Sequence, residues 1–259
     1  MNIKKYIIAF YYEIVIKVKS TLRYRFGVIS DFVVFSIFMA FFMNSNVGIS
    51  FANQYKYENY KALTLLGYIA WTVSVAAISS STNEISTELN RGTFYRKLNS
   101  ICSIRVLLFA DMIASMIVEM TVFLSLLIIA HIVWGVNIPF KIISIVAIII
   151  CTLGMYGIGL ILSGMAIRLK RIGSIVLLVQ TGLLFVTDTI PTNMLITKIT
   201  SIIPLTCCNM VMRLNISNQE CIKELLWLSI ISLFWFGLGN TIFDSLVKSS
   251  KKKGNLLHC

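Results

Sequence analysis

Six long apolar runs constrain this 259-residue chain more than any other feature of its sequence. A helix needs about 20 mainly apolar residues to cross the hydrocarbon core of a bilayer. Hydrophobic residues make up 57% of the chain and charged residues 13%, against about 25% charged residues in soluble domains. The sequence therefore predicts an all-α integral membrane protein and excludes a soluble enzyme or a disordered chain. The six runs cover roughly residues 27–44, 62–80, 106–133, 142–166, 170–187 and 224–247.

The basic residues predict how these spans are oriented. A net charge of +12 would suggest nucleic-acid binding in a soluble protein, but here the basic residues lie between apolar runs. We therefore expect no nucleic-acid partner and apply the positive-inside rule. With both termini in the cytoplasm, 17 of the 23 Lys and Arg residues fall on the cytoplasmic side. These are Lys4, Lys5, Lys17, Lys19, Arg23, Arg25, Arg91, Arg96, Lys97, Arg105, Arg168, Lys170, Arg171, Lys248, Lys251, Lys252 and Lys253.

The two ends of the chain are predicted to lie on the cytoplasmic side. Residues 1–26 carry an apolar stripe at helical spacing, with Lys17 and Lys19 off it, which is typical of an amphipathic helix in the membrane interface. A plain positively charged topology anchor is the alternative. Residues 248–259 form a basic cytoplasmic tail. The stripe consists of Ile3, Ile7, Phe10, Tyr11, Ile14, Val15, Val18 and Leu22.

The loop between the second and third runs is predicted to hold a short charged helix. Ser81 and Glu84 form a capping-box pattern at its start, and Gly92 ends or turns it. Glu84, Glu88 and Arg91 share one face. Such a helix would suit docking to a soluble partner, and a solvated connecting helix is the alternative.

The stretch 188–223 is the longest loop on the opposite side, and it is not simply polar. An apolar stripe lies between Pro191 and Pro204, so we expect this segment to lie on or dip into the outer face of the membrane. The same loop contains Cys207, Cys208 and Cys221, which leaves a disulfide open if the loop is extracytoplasmic. The stripe consists of Leu195, Ile196, Ile199, Ile202 and Ile203.

The sequence offers little chemistry for an enzyme. It contains no G-x-x-x-x-G-K-[ST] phosphate loop, and no segment is long enough for a separate nucleotide-binding domain. Gly154, Gly157 and Gly159 lie inside the fourth run, where close helix packing explains them. Neither His131 nor His258 has acidic or cysteine partners at ligand spacing. We therefore expect no catalytic residues, no metal site and no cofactor on this chain.

Two local patterns, in order on a six-span frame, resemble the membrane subunit of ABC-2 type (type V exporter) ABC transporters. The first is similar to the E-x-x-x-G-T element of that family's coupling helix, about residues 81–100 here. The second is similar to its P…(I/L)-P-L-T…R stretch, which forms short re-entrant helices before the last span. The resemblance covers nearly the whole chain, with residues 27–247 as the transmembrane domain. The patterns are Glu88-Leu89-Asn90-Arg91-Gly92-Thr93-Phe94, and Leu153-Gly154 through Arg168, Ile190-Pro191 and Ile203-Pro204-Leu205-Thr206 to Arg213.

The resemblance implies a permease subunit of an ATP-driven exporter in a prokaryotic plasma membrane. Two ATPase subunits would carry ATP and Mg, and a second permease copy or a sister permease would complete the assembly. Drugs, peptides, lipids or glycans would leave along spans 2 and 5, which makes Tyr68, Trp71 and Gln180 candidates for the substrate path. The residues implied in ATPase coupling are Glu84, Glu88, Arg91, Gly92, Thr93 and Arg96.

Glu119 lies about 14 residues after Arg105, or roughly 21 Å along a helix, which is near the middle of the bilayer. Because a charge in lipid costs at least about 2.5 kcal/mol, it should face a helix interface or a polar cavity. A structural hydrogen bond and a place in the substrate path both remain open for it. Three acidic residues nearer the cytoplasmic ends are expected either to pair with local basic residues or to snorkel to the interface: Asp31 near Arg25, Asp111 near Arg105 and Asp244 near Lys248.

Other functions are open to such a chain. A stand-alone secondary transporter or channel would need paired intramembrane charges or an internal repeat, and the sequence supplies only Glu119 and no clear repeat. A membrane immunity protein could sequester a toxic peptide without pumping it, although the structured loop after the second run argues against this. An intramembrane enzyme would need a nucleophile–base pair or a metal site, and neither is visible.

Overall fold

In the computed structural model, residues 3–100, 102–169 and 172–252 are described, and over these ranges the chain is helical and contains no strand. Predicted segments that include residues 1–2, Lys170, Arg171 or 253–259 lie partly outside the described residues. The helices are α1 (Ile3–Arg23), α2 (Arg25–Asn44), α3 (Ile49–Tyr55), α4 (Tyr60–Asn90), α5 (Phe94–Leu98), α6 (Ile104–Trp134), α7 (Ile142–Leu169), α8 (Gly173–Val186), α9 (Met194–Thr200), α10 (Pro204–Ile216) and α11 (Ile222–Lys252).

Within the described ranges, five helices are long and apolar enough to cross a membrane, namely α2, α4, α6, α7 and α11. They coincide with five of the six predicted runs, and this confirms an all-α membrane protein. The run predicted at 170–187 is represented by α8, which has only 14 residues. At 1.5 Å per residue α8 is about 21 Å long, whereas the hydrocarbon core is about 30 Å thick.

Helix α4 forms the centre of the bundle. In the most apolar stretch of α4, 89% of the residues are buried inside the protein. The corresponding share is 28% for α6 and 17% for α2. Helix α4 packs against α7 and α6 along its length, and against α2, α8 and α10 at its sides. Helices α2 and α11 expose most of their apolar side chains, which is the arrangement expected where lipid takes the place of protein.

The predicted capping box at Ser81 is wrong, because α4 continues without a break from Tyr60 to Asn90. Ser81 lies in the middle of this helix, fully buried, and packs against Gly159 of α7. The helix ends where the sequence predicted, since Gly92 adopts a φ of +66°, the left-handed conformation that glycine tolerates best. A second short helix, α5, follows this turn.

Glycines bring α7 into direct contact with its neighbours, as the sequence predicted. A Cβ built on Gly157 would collide with the backbone of Trp235 and Phe236 in α11, and Gly239 of α11 has the same relation to Gly157. A Cβ on Gly159 would lie 2.8 Å from the carbonyl oxygen of Ile78 in α4. Small residues therefore let these backbones approach closely, which is how helices associate when lipid removes the hydrophobic driving force.

Polar contacts show which segments share an end of the bundle. At the end that holds α1, Lys17 of α1 binds Glu84 near the end of α4, and Arg105 at the start of α6 binds Asp244 near the end of α11 at 3.2 Å. Arg105 therefore pairs with Asp244 and not with Asp111, contrary to expectation.

At the opposite end, Trp134 Nε1 donates to Asn44 Oδ1 at 2.9 Å, and Gln219 Nε2 donates to the carbonyl of Tyr55 at 3.0 Å. Lys141 Nζ donates to the carbonyl of Asn215 at 2.7 Å. Segments 45–59, 135–141 and 187–221 therefore meet at one end. The long helices run alternately up and down between the two ends.

The N-terminal helix predicted over 3–22 is present as α1, which packs mainly along α6. Glu13 and Lys17 turn toward the bundle, where both form ion pairs. Ile7 and Tyr11, on the predicted apolar stripe, are each 62% exposed. Two charged residues of α1 thus face protein, whereas Lys19 is exposed and part of the apolar stripe is free to contact lipid.

Two short helices, α9 and α10, occupy the predicted stretch 188–223. Pro204 occupies the first turn of α10, where its missing N–H costs no hydrogen bond, and Pro191 lies in the non-helical chain before α9. Leu195, Ile196 and Ile199 of α9 are exposed, whereas almost all of α10 is buried among α4, α7 and α11. The disulfide left open for this loop does not form, because the cysteines at 207, 208 and 221 are free thiols.

Candidate functional site

A polar cleft of about 580 Å³ opens between α1, α2, α4, α6 and α8. Three of the four residues predicted for a substrate path, Trp71, Glu119 and Gln180, lie in its wall. The volume falls within the roughly 300–1,000 Å³ that proteins use to bind small organic ligands. We call this cavity the lateral cleft.

Hydrogen bonds between α4 and α8 form one side of the lateral cleft. Trp71 Nε1 donates to the main-chain carbonyl of Gln180 at 3.0 Å, and Gln180 Nε2 donates to Ser79 Oγ at 2.6 Å. Polar side chains in a lipid-facing helix are favourable when they bond across to a neighbouring helix. The amide of Gln180, which makes the fifth run less apolar, is thus satisfied by α4 and joins α8 to the bundle.

Tyr68, the fourth predicted residue, lies behind the wall of the cleft. It is 1% exposed, and its hydroxyl donates to the carbonyl of Phe35 at 2.7 Å. Its ring packs against Trp71 with centroids 5.7 Å apart, and Phe35 meets Trp71 edge to face at 6.1 Å. Tyr68 therefore supports the position of Trp71 from the protein side.

Two carboxyl groups face the lateral cleft, one from Glu119 of α6 and one from Asp31 of α2. They also share a smaller recess with Thr21 and Ser115, and each is close enough to act on the charge of the other. Glu119 thus faces a polar cavity, one of the two positions expected from its depth. The sequence analysis did not place Asp31 in this cavity, because it considered only the distance of Asp31 from Arg25 along α2. The sequence does not show how far α2 is displaced along α6, and this displacement brings Asp31 close to Glu119.

A cluster of five charged side chains lies at the α1 end, below the lateral cleft. Lys97 Nζ of α5 lies 2.5 Å from Glu84 Oε1, 3.1 Å from Glu13 Oε1 and 3.5 Å from Asp111 Oδ2. Lys17 of α1 also binds Glu84. This charge cluster (Glu13, Lys17, Glu84, Lys97 and Asp111) joins α1, α4, α5 and α6.

Lys97 remains protonated at the centre of the charge cluster. Burial alone would lower the pKa of its ammonium, but the carboxylates of Asp111, Glu84 and Glu13 outweigh burial and raise that pKa above its ordinary value. Oxygen atoms of Glu13, Glu84 and Asp111 lie within 4.8 Å of one another, as metal ligands would. The ammonium groups of Lys17 and Lys97 already bind these three carboxyl groups, so the arrangement is an ion-pair network.

The residues predicted for ATPase coupling divide into an exposed and a buried group. Arg91 and Gly92 are exposed on the turn between α4 and α5, and Arg96 is exposed on α5 itself. Glu88 and Thr93 lie beside them and bind each other, since Thr93 Oγ1 donates to the Glu88 carboxylate. Glu84 is the buried residue of this set. It belongs to the charge cluster and does not share a surface with Arg91.

A buried ion pair closes the opposite end of the bundle. Arg213 of α10 is 0% exposed, and its Nη1 donates to Asp188 Oδ2 at 2.8 Å. The guanidinium lies over the ring of Phe51, 3.6 Å from its centroid, and its Nε donates to the carbonyl of Leu63 at 3.3 Å. Burial raises the pKa of Asp188, and Arg213 opposes that shift. Only the motif resemblance pointed to Arg213, and it gave no partner for the side chain.

In comparisons with known proteins, the chain matches no family model and no curated protein. The geometry of the cleft and of the charge cluster therefore carries the functional argument.

Proposed function

We propose that this chain is the membrane-spanning permease subunit of an ATP-driven exporter, of the ABC-2 type that its sequence resembles. One observation carries the proposal. The exposed turn at Arg91 and Gly92 leads into α5, and Lys97 of α5 binds carboxylates on α1, α4 and α6. A partner that pushed on this turn would therefore act on three helices that line the lateral cleft.

The proposal includes a six-span topology with both termini in the cytoplasm of a prokaryote. Helix α8 is the sixth span, made short by the non-helical chain that follows it. Three residues separate the last residue of α7 from the first residue of α8, which therefore begins at the α1 end. Asp188, which follows α8, binds Arg213 at the opposite end. Of the 20 Lys and Arg positions within the described ranges, 14 belong to segments at the α1 end, which supports a cytoplasmic position for that end.

In this mechanism two permease copies, or one copy and a sister permease, bind two ATPase subunits that carry ATP and Mg. The ATPases contact the exposed part of the turn and of α5, which consists of Arg91, Gly92 and Arg96 with Glu88 and Thr93 beside them. Closure of the ATPases moves α5, and the charge cluster passes that movement to α1, α4 and α6. The lateral cleft then changes shape and releases its substrate toward the opposite end.

Purification of the tagged chain from its native membrane in mild detergent tests this function. A stoichiometric partner with ATPase activity should accompany the wild-type protein. It should be lost from the variant Arg91→Ala/Arg96→Ala, because both side chains are exposed and neither forms an ion pair within the described residues. The variant should still insert into the membrane and remain monodisperse.

Lys251→Ala/Lys252→Ala is the matched control, since it also removes two exposed basic side chains at the α1 end. This control should retain the ATPase. A protein that purifies without any ATPase, yet moves or binds a substrate, would contradict the proposal and favour a secondary transporter or a sequestering immunity protein. Equal loss of the ATPase from both variants would contradict the assignment of the turn.

A further inference from the structure

The lateral cleft contains two carboxyl groups without a free counter-charge, although the chain as a whole is strongly basic. Its described walls contain the carboxyl groups of Asp31 and Glu119 and the ammonium group of Lys17. Lys17 is already bound to Glu84 in the charge cluster. Within residues 3–100, 102–169 and 172–252, neither Asp31 nor Glu119 forms a hydrogen bond or an ion pair.

Neighbouring hydroxyl groups do not satisfy these two carboxylates. Thr21 Oγ1 donates to the carbonyl of Lys17 at 3.0 Å, and Ser115 Oγ donates to the carbonyl of Met112 at 2.9 Å. Their protons are therefore used on the main chain. Two neighbouring carboxyl groups repel when both are ionised, and a bound positive charge would favour their ionised form and remove that repulsion.

Alongside uncharged polar residues such as Ser79 and Asn83, the cleft wall contains a group of apolar and aromatic side chains. Phe35 and Phe38 of α2 lie in it, together with Trp71 of α4, whose indole N–H is occupied by Gln180. Aromatic faces attract organic cations, most strongly where water is excluded. At about 580 Å³ the cleft is far larger than a single inorganic ion needs, and it suits a ligand with both a charged and a hydrophobic part.

We propose that the lateral cleft binds amphipathic organic cations, with Asp31 and Glu119 facing the positive charge and Phe35, Phe38 and Trp71 contacting the hydrophobic body. That such a cation is the exported substrate rests on the transport function proposed above. The binding itself does not, because it depends only on groups within this chain.

A pair of ions of equal shape and opposite charge tests the charge preference. Radiolabelled tetraphenylphosphonium and tetraphenylborate would each be measured by equilibrium dialysis against the purified protein in detergent, with any copurifying ATPase retained. Both ions partition into micelles, but that background is the same for every variant. Wild-type protein should bind tetraphenylphosphonium at least about tenfold more tightly than tetraphenylborate.

Glu119→Gln and Asp31→Asn keep the size of the side chain and remove its charge. Each should weaken tetraphenylphosphonium binding about tenfold, which corresponds to about 1.4 kcal/mol, and should leave tetraphenylborate binding unchanged or stronger. Glu220→Gln is the matched control, because Glu220 is exposed in the loop before α11 and distant from the cleft in the fold. This control should bind both ions as the wild type does.

Wild-type binding of the cation in either charge variant, or equal binding of the two ions, would overturn the proposal. Asp31→Asn alters an exposed side chain, so it is informative even if Glu119→Gln unfolds. The two proposals fail separately. Absence of cation binding in a protein that carries its ATPase would refute the ligand class alone, whereas cation binding without any ATPase would refute only the exporter.

Discussion

Replacing Lys97 with Met would remove the cation from the centre of the charge cluster. The Lys97 ammonium lies 2.5 to 3.5 Å from oxygen atoms of Glu84, Glu13 and Asp111. The side chains of Lys97, Glu84 and Asp111 are only 12%, 11% and 1% exposed, so water cannot replace the lost ammonium. Glu84 keeps its bond to Lys17, but within the described residues Asp111 loses its ion-pair partner. Removing one partner of a buried ion pair costs about 3–5 kcal/mol, since it leaves the other charge buried and unpaired. We therefore expect Lys97→Met to lower the free energy of unfolding by about that amount.

Thermal unfolding in mild detergent, followed by intrinsic fluorescence, measures this loss. In a protein of this size each kcal/mol corresponds to roughly 2–4 °C, so Tm should fall by roughly 6–20 °C. The double variant Lys97→Met/Asp111→Asn should recover part of that loss, because it also removes one of the unpaired charges. Arg96→Met is the control, since Arg96 is the exposed neighbour and its replacement should change stability by less than about 0.5 kcal/mol. If Lys97→Met unfolded at the same temperature as Arg96→Met, the cluster would not stabilise the fold, and our account of how α5 is joined to the bundle would be wrong.

Two further substitutions test packing and charge elsewhere in the bundle. Gly157→Ala should destabilise by about 1–3 kcal/mol, because its Cβ would collide with backbone atoms of α11. Gly237→Ala, where a Cβ meets nothing within 4 Å, should not lower Tm, and equal effects of the two in a melting experiment would refute close α7–α11 packing. Arg213→Met should cost about 3–5 kcal/mol by leaving Asp188 buried without its partner. Addition of Asp188→Asn should recover much of this loss in the same experiment, and no recovery would show that the ion pair is not the cause.

The long helices could be predicted because each one carries its own apolar run. The boundaries of α2 and α6 lie within two residues of the predicted ones, since lipid requires an unbroken apolar stretch whatever the neighbouring helices are. The roles of Gly157 and Gly159 were predictable for a similar reason. Small residues inside an apolar run have few uses other than close contact between helices.

The polar end of α4 could not be predicted in this way. The run Ser79–Glu84 interrupts the apolar pattern and suggested a new helix start, but α4 continues through it. Ser80 Oγ donates to the carbonyl of Ala77 at 2.9 Å, and Thr82 Oγ1 donates to that of Ile78 at 3.0 Å, so these hydroxyls are satisfied within the helix. Glu84 is satisfied only by Lys17 and Lys97 from distant parts of the chain. A pattern read along one segment cannot show tertiary partners of this kind.

The candidate site was predicted residue by residue, but its shape was not. Trp71 and Gln180 could be placed on spans expected to line a path, and Glu119 at a depth where a charge needs a polar cavity. That Asp31 reaches the same cavity depends on how far α2 is displaced along α6. Lys17 shows the same limit most clearly, because it lines the lateral cleft and also binds Glu84 in the charge cluster. A residue counted at first only for membrane orientation is thus the physical link between the region proposed to receive ATPase movement and the cleft proposed to hold the substrate.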